Sequence, residues 1–202
     1  MQQSKFDIRR QMRQQRRSLS PRERAWAAEK LVLHLLRISL FRRARRIACF
    51  ISADGEIDTK PIIDAAWRLR KEVFLPVLAT PGPPRLWFRP YRHDTPMLRN
   101  HYGIPEPRTG PRLDGRTLDL VLTPLVAFDD HGHRLGMGGG YYDRTFAHLH
   151  HLRWQRPRLL GLAYAFQRLD TLPAEPWDVP LWGVVTERGL RRFQKNNDDR
   201  NP

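Results

Sequence analysis

The sequence predicts an α/β protein, organised as a single layered α/β/α domain with a mostly parallel sheet and an N-terminal helical segment. Three observations predict it. Residues 4–37 have a helical pattern, β-rich and helical runs alternate from residue 46 onward, and 202 residues suffice for one compact core. We assign residues 1–194 to this domain. The polar residues 195–202 have no hydrophobic repeat and are expected to form a flexible tail.

The N-terminal segment is expected to form two helices rather than one. Apolar positions are interleaved with long helix-forming side chains over residues 4–37. Ser20-Pro21-Arg22-Glu23 interrupts them with a capping-box pattern and a proline suited to the first helical position. A second helix should therefore begin at this point.

The next elements follow a strand–helix–strand order. Residues 46–52 are rich in β-formers, a helix capped by Asp58 or Thr59 should run to about residue 71, and residues 72–78 form another apolar run. Such a unit favours parallel strands with helices packed on the sheet. Further strands are predicted at residues 86–91, 118–128, 159–165 and 182–186.

Residues 80–115 contain eight prolines, which argues against regular structure. We expect mostly loop around one short strand. Because long irregular insertions in compact domains are commonly functional, this segment is predicted to form a wall of a binding site.

The formal net charge is +15, and its distribution is uneven. The first 46 residues carry 14 Lys and Arg against 3 acidic residues, so +11 of the charge lies there. The simplest interpretation is a solvated arginine coat on amphipathic helices. The alternative is a basic nucleic-acid-binding protein, although this segment has no closely spaced aromatics for base stacking.

The lone cysteine, Cys49, cannot form an internal disulfide, and no apolar run approaches the roughly 20 residues that span a bilayer. These features lead us to expect a cytoplasmic protein without a membrane span. We also expect a monomer.

The stretch from Arg134 to Arg144, Arg-Leu-Gly-Met-Gly-Gly-Gly-Tyr-Tyr-Asp-Arg, follows a predicted buried strand. Glycines in a strand-to-helix turn let backbone N–H groups approach an anion, and flanking arginines can neutralise phosphate. The spacing fits neither a P-loop nor a dinucleotide fingerprint. The glycines alone leave open a plain tight connection, or a phosphate-binding α/β protein of another kind, such as a sugar-phosphate isomerase-like protein.

The same stretch resembles the signature of the 5-formyltetrahydrofolate cyclo-ligase family, also called methenyltetrahydrofolate synthetases. Further segments resemble family segments in the same order, from about residue 5 to residue 187. They are Phe50-Ile-Ser-Ala-Asp-Gly-Glu-Ile-Asp-Thr59, Val73-Phe-Leu-Pro-Val77, Tyr102-Gly-Ile-Pro-Glu-Pro107 and Leu172-Pro-Ala-Glu-Pro-Trp-Asp-Val-Pro180.

The resemblance implies an enzyme that converts 5-formyltetrahydrofolate to 5,10-methenyltetrahydrofolate while MgATP becomes MgADP and phosphate. The formyl oxygen is a poor leaving group until it is phosphorylated, after which N10 can attack the carbon. Such chemistry needs alignment and charge stabilisation rather than a nucleophilic side chain. No specific nucleic-acid partner is implied.

By matched position, the resemblance implies a set of ATP contacts that includes Lys5 and Arg9, which are four residues apart and would share a helix face. The full ATP set is Lys5, Arg9, Arg134, Leu135, Gly136, Met137, Gly138, Gly139, Gly140, Tyr141 and Tyr142. Arg134 and Tyr142 are the implied catalytic residues.

The resemblance also implies Mg²⁺ ligands and a folate site. Asp143 and Asp178 match the metal positions, and carboxylates are the ligands magnesium prefers. The folate set is Ile51, Glu56, Met137, Gly138, Gly139, Gly140 and Tyr141. Glu56 can accept hydrogen bonds from the polar edge of the pterin.

The glycine loop differs from that of some family members, and the histidines raise a separate question. Some family members carry a lysine in the glycine loop where this chain has Gly139, which leaves open which cation contacts the γ-phosphate. Histidines at 131, 133, 148, 150 and 151 invite a metal site. We predict none, because the first two lie in a predicted turn and the other three lack cysteines or a clear carboxylate partner.

Overall fold

The computed structural model describes residues 3–150 and 156–193. The described helices are α1 (Lys5–Ser18), α2 (Pro21–Arg37), α3 (Ser39–Arg43), α4 (Lys60–Arg68) and α5 (Tyr141–Phe146). The strands are β1 (Arg46–Ala48), β2 (Glu72–Leu78), β3 (Leu86–Pro90), β4 (Met97–Arg99), β5 (Pro105–Pro107), β6 (Leu120–Pro124), β7 (Ala127–Phe128), β8 (Arg134–Leu135), β9 (Arg158–Leu162), β10 (Gly183–Thr186) and β11 (Gly189–Arg192). The tail at 195–202 lies outside the described residues.

A seven-stranded sheet in the order β11-β10-β9-β6-β1-β2-β3 forms the centre of the fold. The five inner strands are parallel, and the edge strands β11 and β3 are antiparallel to their neighbours. Each face of the sheet is covered. The α/β class and the mostly parallel sheet are therefore confirmed.

Alternating side chains of the inner strands supply two cores, one on each face. Ile47 and Leu120 belong to the core under α2, α3 and α4, whereas the adjacent Ala48 and Val121 belong to the core that contains Phe146 of α5. This alternation is what a strand buried on both faces requires.

The N-terminal helices form as predicted. Ser20 accepts a hydrogen bond from Glu23 N while the Glu23 carboxylate accepts one from Ser20 N, so the capping box is complete. Helix α1 packs Ile8 and Met12 against Val126 near β7 and β8, a third apolar cluster. This contact places α1 beside the glycine-rich loop.

Two predictions of local structure were wrong. The strand predicted at 118–128 is two strands, because proline at 124 has no N–H with which to continue the ladder, and β7 instead pairs with β8. The proline-rich segment contains β4 and β5 in addition to β3, paired as a two-stranded sheet. Helix α3 and the strands β8 and β11 had not been predicted.

Helices among the described residues are all too short or too polar to cross a membrane.

Candidate functional site

A cleft of about 1420 Å³ opens at the carboxyl ends of β1, β2 and β6. Ile51 follows β1, Leu78 ends β2, and Leu125 follows β6. From β1 the chain adds β2 and β3 on one side of β1, and later it adds β6 and β9 on the other side. The strand order therefore reverses between β1 and β6. Ligands of open α/β sheets bind at such a switch point.

Every site residue predicted from the sequence lines this cleft. The lining includes Lys5, Arg9, Ile51, Glu56, Arg134, Leu135, Gly136, Met137, Gly138, Gly139, Gly140, Tyr141, Tyr142, Asp143 and Asp178. These residues come from α1, the loop after β1, the β8–α5 connection and the loop before β10. The fold therefore gathers four sequence-distant segments around one cavity.

The glycine-rich loop between β8 and α5 has a backbone that only glycine adopts freely. Gly138 has φ of +105° and Gly140 has φ of +63°, both in the left-handed half of the conformational map. Arg9 Nε donates to Gly136 O at 2.8 Å, and Arg144 Nη1 donates to Gly139 O at 2.7 Å. Two arginines thus fix the loop through its carbonyl groups.

Gly139 stands where some family members have lysine, and here its surroundings are restrictive. A Cβ added at this position would lie 2.8 Å from the Tyr141 ring. Tyr141 in turn lies with its hydroxyl 3.2 Å from that of Tyr102, which comes from the proline-rich segment. The glycine therefore leaves space for the Tyr141 ring beside the loop.

The helix after the loop contributes less positive charge to the cleft than its sequence pattern indicated. Helix α5 has only six residues, so its dipole is small. Positive charge comes instead from α1, where Lys5 Nζ is 3.1 Å from Glu175 Oε1 and Arg9 contacts the loop. Both predicted cations face the cleft.

Arg134 and Asp143 form an ion pair in the cleft wall. Arg134 Nη2 donates to Asp143 Oδ1 at 2.6 Å, and Val179 N donates to the same oxygen at 3.1 Å. Arg134 also donates to Val179 O, and its side chain is only 5% exposed. Asp143 therefore joins the glycine-rich loop to the segment that contains Asp178.

The two predicted metal ligands are connected through a single backbone contact, the hydrogen bond from Val179 N to Asp143. Asp178 directly precedes the Val179 amide that contacts Asp143, and Asp178 Oδ2 accepts from Glu175 N at 2.9 Å. Across residues 3–150 and 156–193 no group of three or more His, Cys, Asp or Glu is arranged to hold a metal alone. Magnesium at phosphates commonly takes one or two carboxylates, with phosphate and water oxygens completing its coordination.

Glu56 lines the cleft from the loop after β1. Its side chain is 14% exposed, and its Oε2 accepts from Ala53 N at 3.0 Å. Burial raises the pKa of Glu56 to about 7, despite the opposing effects of the Ala53 hydrogen bond and the Arg16 charge. Burial likewise raises the pKa of the Tyr142 phenol, and the charge of Glu56 adds to the shift.

A cluster of arginines on α1 contacts the same loop and was missed by sequence reasoning. Asp54 accepts from Arg13 Nε at 2.6 Å, from Arg16 Nη2 at 3.2 Å and from Arg17 Nε at 2.6 Å. Their i, i+3 and i+4 spacing was visible in the sequence. Nothing in the sequence indicated an acidic partner about 40 residues away.

The proline-rich segment lines the cleft as predicted. Asn100, Tyr102, Ile104, Pro105 and Glu106 contribute to its wall. The Glu106 carboxylate accepts from Leu78 N at 3.1 Å and from Asn100 Nδ2 at 2.7 Å, which ties the β4–β5 hairpin to the main sheet.

The histidines do not form a metal site among the described residues. His133 Nδ1 lies 2.9 Å from Oδ2 of the buried Asp129, whose other oxygen accepts the amides of residues 131 and 133. His150 lines the cleft and lies 3.2 Å from Trp177 O, a position that the sequence did not indicate. His151 lies outside the described residues.

Comparison with known proteins identifies the family. A sequence model of the 5-formyltetrahydrofolate cyclo-ligase family matches residues 1–187. A 5-formyltetrahydrofolate cyclo-ligase of Haemophilus influenzae is 41% identical over 187 residues, covering 91% of this chain and 97% of that relative. One from Escherichia coli is 40% identical over 177 residues, covering 87% and 96%.

The NMR structure of Aquifex aeolicus 5,10-methenyltetrahydrofolate synthetase superposes with a TM-score of 0.79 at 30% identity, over 96% of this chain and 94% of that one. A synthetase structure from Mycoplasma pneumoniae, 24% identical with a TM-score of 0.72, shares the fold. The cleft, its glycine-rich loop and these similarities agree: the chain belongs to the 5-formyltetrahydrofolate cyclo-ligase family.

Proposed function

We propose that the cleft binds MgATP and 5-formyltetrahydrofolate side by side and converts the folate to 5,10-methenyltetrahydrofolate, with ADP and phosphate released. One observation carries the proposal. The predicted phosphate-binding and folate-binding residues, drawn from four distant segments, all line one continuous cleft. A shared cleft is what transfer of a phosphoryl group between two bound substrates requires.

The ATP phosphates are assigned to the end of the cleft formed by α1 and the glycine-rich loop. Lys5 and Arg9 supply cationic donors, and Gly136 to Tyr142 supply backbone amides. The Arg9 contact with Gly136 O keeps that guanidinium beside the loop before any nucleotide arrives. Pre-positioned charge costs little reorganisation during the reaction.

Asp143 and Asp178 are proposed to hold the magnesium ion that accompanies ATP. When bound, the ion supplies neutralisation of the phosphate charge. Arg134 and Val179 N contact only Oδ1 of Asp143, and we assign Oδ2 to the metal. Arg134 then has the role of holding this carboxylate in place as well as adding positive charge to the transition state.

The folate is assigned to the part of the cleft where Glu56 and Ile51 follow β1. The Glu56 carboxylate accepts hydrogen bonds from the N–H groups of the pterin edge, while Met137 and Tyr141 offer exposed apolar surface to the rest of the molecule. Tyr142 lies close enough to both Glu56 and Arg134 for their charges to affect its pKa. Because its pKa is raised, its phenol keeps its proton and can donate a hydrogen bond.

The chemistry needs no nucleophilic side chain. The formyl oxygen attacks the γ-phosphorus as the bond to ADP breaks, which gives an O-phosphorylated iminium ion at N5. N10 then attacks the formyl carbon and loses its proton, and the C–O bond breaks to release phosphate with the former formyl oxygen. The cleft aligns these atoms and stabilises charge on the transferring phosphoryl group.

The double variant Lys5→Ala/Arg9→Ala tests the ATP assignment. We expect the KM for ATP to rise by about 10- to 100-fold, because the two partly exposed charge contacts together contribute roughly 1.5–3 kcal/mol. The KM for 5-formyltetrahydrofolate should change less than about threefold, since neither residue is among the assigned folate contacts.

The matched control is Arg10→Ala/Lys30→Ala, which also removes one arginine and one lysine from the basic N-terminal segment. Both side chains lie outside the cleft. If this control raises the KM for ATP as much as Lys5→Ala/Arg9→Ala does, the basic segment acts only through its diffuse charge. Tight, salt-resistant RNA binding by the unaltered protein would favour the nucleic-acid alternative.

A further inference from the structure

Asp54 neutralises a buried arginine that also faces the proposed folate carboxylate. The Arg16 side chain is 1% exposed, and Asp54 Oδ2 accepts from its Nη2 at 3.2 Å. Arg16 Nη1 lies 3.8 Å from Glu56 Oε1, beyond hydrogen-bond distance. One guanidinium is therefore positioned between two carboxylates and bonded to only one of them.

The surrounding structure holds Asp54 in this position. Asp54 has φ of +51° and the following Gly55 has φ of +74°, so the turn brings the carboxylate back towards α1. A Cβ on Gly55 would lie 3.2 Å from the Arg16 backbone, which shows how closely the turn packs on the helix. Arg13 and Arg17 bond the same carboxylate from the surface.

Apart from the bond to Asp54, few hydrogen bonds hold the Arg16 guanidinium away from Glu56. Its Nε is buried and has no hydrogen-bond partner among the described residues, and its remaining contact is a long one of 3.4 Å to Leu125 O. A shift of about 1 Å would bring Nη1 within hydrogen-bond distance of Glu56. Without the Asp54 charge, Glu56 would be the nearest counter-charge available to this guanidinium.

We propose that Asp54 is a positioning residue for folate binding: it retains Arg16 and thereby leaves the Glu56 carboxylate available to the pterin. This role rests on the proposed function, because it concerns the residue assigned to the folate. The charge of Arg16 still reaches Glu56 and favours its ionised form. A direct Arg16–Glu56 bond would instead occupy an oxygen that the substrate needs.

The test is calorimetric titration of 5-formyltetrahydrofolate and of ATP into the full chain at pH 8, which needs no turnover. Asp54→Asn is expected to raise the Kd for 5-formyltetrahydrofolate about tenfold, the equivalent of one charge-assisted hydrogen bond. The Kd for ATP should stay within about twofold. Asparagine tolerates a left-handed backbone, so the turn itself should persist.

A second variant separates this role from a merely structural one. Asp54→Asn/Arg16→Gln removes both charges together, leaving no guanidinium to bond Glu56, and is expected to restore 5-formyltetrahydrofolate binding to within about threefold of the unaltered protein. If Asp54→Asn alone fails to fold because Arg16 has lost its counter-charge, the double variant still tests the proposal. Asp130→Asn is the matched control, since Asp130 also pairs with two arginines, Arg168 and Arg191, away from the cleft.

The possible outcomes differ clearly. Unchanged folate binding by Asp54→Asn, equal losses for both ligands, or no recovery in the double variant would each overturn the role of Asp54 while leaving the proposed function intact. An unaltered protein that does not bind 5-formyltetrahydrofolate at all would overturn the proposed function and this role with it.

Discussion

Asp143→Asn is expected to lower kcat by at least about a hundredfold, because the proposed role of this carboxylate is to hold the metal ion that would neutralise charge on the transferring phosphoryl group. Asparagine keeps an oxygen for Arg134 and Val179 N but loses the negative charge. Turnover measured across a range of Mg²⁺ concentrations checks the expectation. Near-normal kcat at high Mg²⁺ would remove Asp143 from the metal site.

The structure also predicts a cost in stability for this variant. Arg134 is nearly buried and would lose its counter-charge while keeping its hydrogen bonds, which we expect to cost roughly 2 kcal/mol. For a chain of this size that corresponds to a fall in Tm of about 4–8 °C. Asp130→Asn, which alters a surface ion pair, should change both kcat and Tm little.

Glu56→Gln is expected to raise the KM for 5-formyltetrahydrofolate about 10- to 100-fold and to leave the KM for ATP nearly unchanged, since a charged acceptor to the pterin is replaced by a neutral one. The unaltered protein should bind this substrate about tenfold more tightly at pH 8 than at pH 6, because Glu56 ionises with a pKa of about 7. The variant should show no such pH dependence. Equal losses for both substrates would indicate a folding role for Glu56.

Thermal unfolding provides an independent check on the same carboxylate. A raised pKa means that the folded state favours protonated Glu56, so this stabilising contribution is complete below pH 4.5 and is lost as the pH rises through about 7. The Tm of Glu56→Gln relative to the unaltered protein should therefore increase from pH 6 to pH 8. A constant difference would show that the pKa of Glu56 is not raised.

Local signals in the sequence were sufficient to predict most of the elements, whereas the set of site residues was implied by the family resemblance. The capping box at Ser20 fixed the start of α2, because its partners are three residues apart. The glycine-rich loop could also be recognised from local sequence, because the glycines that determine its backbone conformation and the arginines that flank it are all within residues 134–144.

Features that depend on pairing between distant segments could not be predicted in this way. Arg16 looked like one more member of a basic helix, yet it is buried against Asp54 and lies 3.8 Å from Glu56. Asp143 and Val179 meet only because the fold brings the loop before β10 beside α5. The β4–β5 pair was hidden by prolines, which are tolerated in strands at the edge of a sheet.

The proposed reaction is tested most directly by mixing the purified protein with 5-formyltetrahydrofolate and MgATP. Formation of the conjugated methenyl product is followed by its near-ultraviolet absorbance, and ADP release is measured in the same samples. We expect product and ADP in equal amounts, because one formyl oxygen is phosphorylated for each ring closed. Omitting either ATP or Mg²⁺ should abolish turnover. Methenyl product formed without ATP, or ADP released without methenyl product, would contradict the proposed reaction.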